Sequence, residues 1–234
     1  MNKFIYDGDE YIKEINGVKY KLKFFVDEYA TSPREECPVS KMYCFSSRYN
    51  LGDSHDYNSI ADVLDDLYCQ AHPNLSEKEI NAFCSLRDGE TFKERDMRII
   101  EALKDFAVIK YIYMYSHSGI TISTSSFNDP WDSGIVGLVV LTKEDTFEEL
   151  CNDENTWRES ADRCIESEIK EYDTYLRGEV YGFNILKLEE CPCCHHVSEE
   201  VEDSICGFYG DDLETNGMLD YLPDEFVKLL KEEK

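Results

Sequence analysis

Residues 107–115 are the most strand-like segment of the chain, and they constrain the fold more than any other stretch. This segment is rich in Val, Ile and Tyr, and such side chains favour a buried strand. Gly119 marks a turn, residues 119–124 alternate between apolar and hydroxyl side chains, and residues 135–141 are again strongly apolar. Short connections join antiparallel neighbours, so we predict an antiparallel meander of strands 107–115, 119–124 and 135–141.

Two further strand regions lie near the ends of the chain. Asn16-Gly17 stands between two alternating segments, and this dipeptide predicts a β-hairpin over residues 10–28 because both turn residues must take positive φ. Residues 180–188 form another apolar strand, with 205–209 as its partner. We therefore expect antiparallel sheet to dominate the strand content.

Apolar residues at helical spacing separate these strands. Ser76-Glu77-Lys78-Glu79 is a capping-box pattern that predicts a helix start after Leu75. No repeat, low-complexity stretch or linker interrupts the chain, so we predict a single α+β domain over residues 1–234, with the sheet packed against several helices. The predicted helices span about 59–71, 75–88, 92–105, 144–150, 156–176 and 223–231.

The strong negative charge of the chain limits the classes of molecule that it can bind. The chain has 50 acidic and 24 basic residues, a net charge of −26, yet 42% of its residues are hydrophobic, so it is not a disordered acidic tail. From Glu144 to Lys234 there are 27 acidic residues against 8 basic ones. Such a chain repels nucleic acid and anionic membranes. We expect cationic partners, including proteins whose own ligand is DNA or RNA.

The sequence also predicts a cytoplasmic location. Residues 1–9 are polar, without the apolar core of a signal peptide, and no run approaches the ~18 apolar residues of a membrane span. Ten cysteines in such a setting are expected to stay reduced. Walker, Gly-x-Gly-x-x-Gly, His-Glu-x-x-His and EF-hand patterns are absent, so no cofactor is predicted beyond a weak zinc candidate.

The long predicted helix 156–176 carries a row of acidic side chains. Residues three or four apart lie ~5–6 Å from one another on a helix. DNA also presents regularly spaced negative charge, so an acidic helix face can occupy a DNA-binding groove, although a merely solvated face shows the same pattern. The predicted partner-binding residues are Glu159, Asp162, Glu166 and Asp173, extended by Asp211, Asp212 and Glu214.

Residues 115–134 form the densest polar segment and allow two interpretations. In the first, His117 is a general base that Asp129 or Asp132 orients, as in a small hydrolase or transferase. In the second, the Asp and Ser side chains only shape the turns, and Trp131 anchors the loop to the core. No Gly-x-Ser-x-Gly elbow supports a serine nucleophile here.

Residues 191–196, Cys-Pro-Cys-Cys-His-His, form the metal-like cluster that supplies the zinc candidate. Cys191 and Cys194 have C-x2-C spacing, and His195 or His196 could add a ligand. A structural zinc usually takes two separated ligand pairs, and the second pair is missing from this sequence. The cluster stands between two predicted strands, which places it at an exposed hairpin tip.

Several blocks together resemble a family of small acidic proteins from phages and mobile elements of Gram-positive bacteria. The longest block is HSGITIST within residues 115–124, followed by PWDSG at 130–134. RYNLGD at 48–53, GEVYG within 172–182 and CGFYG at 206–210 complete the set. The resemblance spans most of the chain, and the group is mostly without assigned function.

The resemblance implies a bacterial host and a role against host defence. Small acidic phage proteins often inhibit restriction or CRISPR nucleases, some as DNA mimics. The leading hypothesis is therefore a non-enzymatic inhibitor that binds a host nuclease or other nucleic-acid-binding protein through its acidic surface. The alternatives are the hydrolase or transferase based on His117, and a plain interaction protein whose Trp- and Tyr-containing loops form the interface.

Overall fold

The structure, a computed structural model, describes residues 4–151 and 153–232. Within these ranges it contains eight strands and six helices, all strand pairs are antiparallel, and the predicted α+β class is confirmed. The strands are β1 Glu10–Ile15, β2 Val18–Val26, β3 Lys41–Cys44, β4 Ala107–Ser116, β5 Ile120–Ser123, β6 Ser133–Thr142, β7 Val180–Glu190 and β8 Val197–Tyr209. The helices are α1 Ile60–Ala71, α2 Glu77–Cys84, α3 Phe92–Ala102, α4 Lys143–Glu149, α5 Trp157–Leu176 and α6 Asp224–Glu232.

The described chain divides into two compact units, each with its own sheet. The first takes the residues up to Ser32 and from Thr174 onward, and the second takes Pro33–Asp173. We predicted one domain over residues 1–234 and one sheet that included hairpin 10–28 and strand 180–188. Those two regions instead form a separate sheet in the first unit. Compact units need not fold independently, so the single-domain assignment stays a prediction.

The sheet of the first unit has the order β1-β2-β7-β8. The predicted hairpin 10–28 is confirmed, and its turn residues Asn16 and Gly17 have φ of 51° and 82°, as a tight two-residue turn requires. One face of this sheet packs on α6 around Leu22, Phe24 and Phe183. This apolar face fixes the register, because a slip by one residue would expose these side chains.

The β7–β8 hairpin extends beyond its neighbours in that sheet. Pairing between β2 and β7 ends at Lys19 opposite Leu188, whereas β7 continues to Glu190 and β8 begins at Val197. Residues 191–196 close the hairpin, which confirms that the cysteine cluster lies at a hairpin tip. The last residues of β7 and the first of β8 therefore project as a two-stranded extension.

The sheet of the second unit has the order β3-β6-β4-β5, so β4 pairs with both β5 and β6. A simple meander over 107–115, 119–124 and 135–141 would have placed the middle segment at the centre, and that part of the prediction is wrong. The reason lies in Val136–Leu141, where six successive residues are buried. A strand buried on both faces favours an interior position, so β6 lies between β3 and β4.

Gly137 in β6 permits the close approach of β3. A Cβ atom at this position would lie 2.1 Å from the carbonyl oxygen of Tyr43, so any other residue would displace one strand. On one side of the sheet, α1 and α3 enclose a core that includes Leu64, Ile99 and Leu138. The predicted capping box at Ser76 is also confirmed.

A buried ionic cluster around Arg34 holds the second unit together. Arg34 Nε and Nη2 donate to the two carboxylate oxygens of Asp53 at 2.9 and 2.7 Å, and Nη1 donates to Glu168 Oε2 at 3.0 Å. Nη2 also donates to the carbonyl oxygen of Ser40 at 2.7 Å. Burial alone would lower the pKa of Arg34, but these hydrogen bonds and the charges of Asp53 and Glu168 raise it. The guanidinium therefore stays charged inside the protein.

The two carboxylates of the cluster also bind the backbone. Asp53 Oδ2 accepts from the N–H of Met42 at 2.8 Å, and Glu168 Oε1 accepts from the N–H of Val39 at 2.7 Å. The hydroxyl of Tyr172 accepts from the N–H of Gly52 at 3.1 Å. The cluster therefore connects α5 to three segments. These are the segment before β3, the start of β3 and the turn that ends at Asp53.

We predict that Arg34→Met lowers the free energy of unfolding by about 3–5 kcal/mol, because it leaves two partly buried carboxylates without their cation. Urea unfolding at neutral pH measures the change. The control is Lys104→Met, which removes an exposed pair with Glu101 and should leave the stability nearly unchanged. Equal small losses in both variants would show that the cluster does not hold the unit together.

Candidate functional site

The predicted acidic face of α5 is largely engaged within the second unit. Lys110 Nζ of β4 lies 2.6 Å from Asp162 Oδ1 and 2.7 Å from Glu166 Oε1, and Thr124 donates to Glu166 at 2.7 Å. Burial would raise the pKa of Glu166, but the bonds from Lys110 and Thr124 lower it. Lys110 therefore offsets one of the four negative charges predicted on this face of α5.

Asp173 also faces the sheet of the second unit. Its Oδ1 accepts from Thr121 Oγ1 at 2.6 Å and from the N–H of Ile122 at 2.8 Å, so it binds the edge strand β5. The expectation that it lies on an outer face with Glu159 is wrong, because α5 presents Asp173 to β5. Glu159 is exposed.

The predicted extension of the acidic face lies in the first unit. Asp211 and Asp212 follow β8, where the N–H of Ile5 donates to the carbonyl oxygen of Asp211 at 2.9 Å. Asp212 Oδ1 accepts from the N–H of Glu214 at 3.0 Å, which shapes the turn. These residues have structural roles in that turn, and their part in partner binding stays a prediction.

The β7–β8 hairpin presents an acidic surface that the sequence patterns did not single out. We call it the acidic hairpin and define it as residues 187–203. It contains one basic residue, Lys187, and the first eight residues of β8 are all exposed. Acidic residues at helical spacing do not reveal this surface, because its charge is spread over two strands rather than along one face of a helix. Its acidic residues are Glu189, Glu190, Glu199, Glu200, Glu202 and Asp203.

Part of the acidic hairpin is uncompensated. Lys21 pairs with Glu199, and Lys187 Nζ lies 2.6 Å from Glu189 Oε1. In residues 4–151 and 153–232, no ion pair reaches Glu200, Glu202 or Asp203. Nearby carboxylates, with Glu189 first, raise the pKa of Lys187, so this lysine stays charged at neutral pH. β8 itself carries four carboxylates and no lysine or arginine.

The outer edge of β8 is open to another strand. β8 is the last strand of its sheet, so its outward N–H and C=O groups are not used in that sheet. The register between β7 and β8 shifts near Ile185 and Leu186, which leaves Glu202 without a directly opposed residue. A bulge of this kind bends the strand and discourages self-pairing at the edge.

The tip of the acidic hairpin is a tight turn built around Cys191. The N–H of Cys191 donates to His196 O at 2.8 Å, and the N–H of His195 donates to Cys191 O at 2.9 Å, with His195 at a left-handed φ of 57°. The N–H groups of Cys193 and Cys194 donate to the Cys191 thiol and hold its pKa below the usual range. The turn therefore favours a thiolate at Cys191.

The four predicted metal ligands do not form a complete site within one chain. Cys191, Cys194, His195 and His196 share the turn, but His195 Nδ1 lies 2.6 Å from Glu190 Oε1. Among the residues that the structure describes, no group of three or more His, Cys, Asp or Glu side chains is arranged to hold a metal ion. The turn contains three free thiols, those of Cys191, Cys193 and Cys194.

The loop that contains His117 is well ordered by hydrogen bonds. His117 Nδ1 lies 3.0 Å from Asp132 Oδ2, while Asp129 Oδ1 accepts from the N–H groups of Trp131 and Asp132 at 2.9 and 3.1 Å. These two backbone donors lower the pKa of Asp129. Of the two predicted orienting carboxylates, Asp132 is the one beside His117, and Asp129 shapes the turn.

The prediction that Trp131 anchors this loop to the core is wrong. Its side chain is 92% exposed, because the turn made by Asp129 directs it outward. The side chain of His117 is also 69% exposed. Tyr49 and Ser116 join through their hydroxyls at 2.9 Å, so the segment 48–53 and the loop 115–134 meet at one place.

Comparisons with protein-family models, with curated proteins and with solved structures found no match for this chain. Over residues 4–151 and 153–232, no helix combines the length and the apolar character needed to cross a membrane.

We predict that iodoacetamide modifies Cys191 faster than Cys206 and Cys84 at neutral pH, because alkylation requires the thiolate. Burial, reinforced by the charge of Asp65, raises the pKa of Cys84 to about 11. Partial burial and a hydrogen bond with Asp27 raise the pKa of Cys206, although this residue is exposed.

Peptide mass spectrometry after timed alkylation of the reduced, metal-free chain measures the three rates. We expect Cys84 to react at least ~10-fold more slowly than Cys191, since higher thiolate nucleophilicity only partly offsets the lower thiolate fraction. The urea-unfolded chain is the control and should show similar rates. Equal rates in the folded chain would contradict the described turn geometry.

Proposed function

We propose that this protein is a non-enzymatic inhibitor that binds a nucleic-acid-processing protein of a bacterial host, using the acidic hairpin to occupy a cationic groove. The observation that supports it best is the exposed β8 strand, whose Glu200, Glu202 and Asp203 have no ion-pair partner in the described part of the chain. The resemblance to small acidic phage proteins supports the class of partner.

The carboxylates of β8 are presented on both faces of the strand. Successive side chains of a strand point to opposite faces, so Glu199 and Glu200 lie on different faces of the acidic hairpin. Lysine and arginine side chains that line a groove for nucleic acid can therefore reach carboxylates from either side of the strand.

The position of the acidic residues of β8 also favours contact with a partner. Glu199, Glu200 and Asp203 lie opposite β7 residues that pair with β2, on the last strand of the sheet, and the first eight residues of β8 are exposed. The ladder between β7 and β8 holds the carboxylates in place before binding, which reduces the conformational entropy lost on association. The open edge of β8 additionally allows a partner strand to pair with its backbone.

We predict that neutralising β8 removes partner binding. The test variant is Glu200→Gln, Glu202→Gln, Asp203→Asn, and the control is Asp88→Asn, Glu148→Gln, Glu149→Gln, which removes three exposed carboxylates elsewhere. Each immobilised protein is incubated with nuclease-treated lysate of the bacterial host, and bound proteins are quantified by mass spectrometry. We expect at least a tenfold loss for the β8 variant and little loss for the control.

Two further features define the expected partner. Its recovery should fall steeply from 0.1 M to 1 M salt, because the screening length falls from ~10 to ~3 Å, and added duplex DNA should displace it. A partner held equally at both salt concentrations, or one that DNA does not displace, would contradict the proposal. Loss with Trp131→Ala but not with the β8 variant would move the interface to the loop that contains Trp131.

A second candidate function is hydrolysis or group transfer at His117. The observation that favours it is the 3.0 Å contact between His117 Nδ1 and Asp132 Oδ2, which leaves Nε2 to act as a base. Against it, the histidine is largely exposed, and the Ser116 hydroxyl pairs with Tyr49 rather than serving as its nucleophile. A general base in a water-filled site gains little from its surroundings.

For this second function we predict that His117→Ala lowers turnover of ester and phosphodiester substrates by a factor of about 10²–10⁴, the usual contribution of a general base. Initial rates on a chromogenic substrate panel measure it. His195→Ala, which removes another exposed histidine, is the control and should not change the rate. Absence of turnover by the unmodified protein would exclude the panel reactions as its function.

A further inference from the structure

A cleft beside β3 in the second unit combines aromatic rings with carboxylates. It has a volume of about 580 Å³, and its walls come from β3 and from the segment that follows Gly52. Neither candidate function described above uses this cleft. Its lining residues are Lys41, Tyr43, Asp53, Ser54, His55, Asp56 and Tyr57.

Three rings form the aromatic part of the cleft. The ring centroids of Tyr43 and Tyr57 lie 5.5 Å apart, and the two ring planes stand at 83° to each other. The ring of His55 lies 5.6 Å from that of Tyr43 and 6.0 Å from that of Tyr57. Two rings at right angles form a corner, and the face of an aromatic ring attracts a cation.

His55 contributes a hydrogen-bond acceptor that has no donor. Its Nε2 lies 3.1 Å from the carbonyl oxygen of Cys44, and because a carbonyl oxygen only accepts, Nε2 carries the proton of this bond. In a neutral imidazole the other nitrogen, Nδ1, is then an acceptor. This atom is buried, and within residues 4–151 and 153–232 no hydrogen-bond partner reaches it. Buried polar atoms normally have a partner, so the vacant acceptor indicates a donor that a ligand supplies.

The charges around the cleft favour a cationic ligand. The side chain of Asp56 is exposed, and no hydrogen bond or ion pair engages it in the described part of the chain. Burial raises the pKa of the Tyr43 hydroxyl, and three nearby carboxylates, with Asp53 first, raise it further. Lys41 lies at the rim, but the charge that surrounds Tyr43 is negative.

We propose that this cleft binds the guanidinium group of an arginine side chain that another protein presents. A guanidinium is planar and stacks on aromatic faces, and it is more weakly hydrated than an ammonium group. It also carries five N–H donors and no acceptor. The rings of Tyr43 and Tyr57 supply the faces, and His55 Nδ1 and the Asp56 carboxylate supply the acceptors.

The openness of the cleft favours a side chain of a protein over a free small molecule. Lys41, Ser54 and Asp56 are exposed, so the cleft does not enclose its contents. Sites for small molecules bury most of the surface of their ligand. An open cleft can still hold an arginine whose own protein makes further contacts around it. The proposal does not rest on the acidic hairpin, because all of its residues belong to the second unit.

The test uses the purified full chain and three acetylated tripeptide amides with glycine on both sides of arginine, lysine or citrulline. Calorimetry at ~0.15 M salt measures binding, so that exposed charges are partly screened. We expect the arginine peptide to bind more tightly than the lysine peptide, whose ammonium lacks a planar face. The citrulline peptide has the same shape without the charge and should bind at least ~10-fold more weakly.

Proton–nitrogen correlation NMR follows the ring nitrogens of the five histidines during the same titration. The Nδ1 resonance of His55 should move when the arginine peptide donates a hydrogen bond to it. Equal binding of the arginine and lysine peptides would show that net charge alone attracts them and would overturn the proposal. Absence of binding, or a His55 resonance that does not move, would also overturn it.

Matched variants locate the site. Asp56→Asn removes the free carboxylate and Tyr57→Leu removes a ring face, and each should weaken binding of the arginine peptide by about 3-fold or more. Tyr57→Phe keeps the ring, and Asp88→Asn removes an exposed carboxylate elsewhere, so both should bind as the unmodified protein does. Asp56 is exposed, and a loss in its variant is therefore not a loss of folding. Unchanged affinity in Asp56→Asn would overturn the proposal and leave the acidic hairpin unaffected.

Discussion

The buried charge of Arg34 is the constraint on which the second unit depends. A guanidinium removed from water needs its hydrogen bonds satisfied, and Asp53, Glu168 and the carbonyl oxygen of Ser40 satisfy them. Asp53 follows a turn and Glu168 lies on α5, so one side chain fixes segments far apart in the sequence. The strands that carry the loop of His117 and Trp131 belong to the same sheet as β3. Because the cluster fixes the position of β3, it also fixes the position of these strands.

The acidic residues of the chain consequently serve two different purposes. On α5 they act as internal partners, since Asp162 and Glu166 bind Lys110 and Asp173 binds β5. In the acidic hairpin, Lys21 pairs with Glu199 and Lys187 with Glu189, while Glu200, Glu202 and Asp203 have no ion pair within the described residues. The net charge of the chain therefore does not locate a binding surface, because it counts carboxylates that are paired within the fold and unpaired carboxylates equally. Which carboxylates remain uncompensated depends on the basic residues that folding brings near them.

Local signals allowed much of the fold to be predicted. Asn16-Gly17 and the capping box at Ser76 encode their own geometry, and the structure has both. The strand order was wrong because it depends on Val136–Leu141, whose burial on two faces requires neighbours that a local pattern does not specify. The exposure of Trp131 was missed for a similar reason. The hydrogen bonds of Asp129 decide where that side chain points, and aromatic character alone suggested the core.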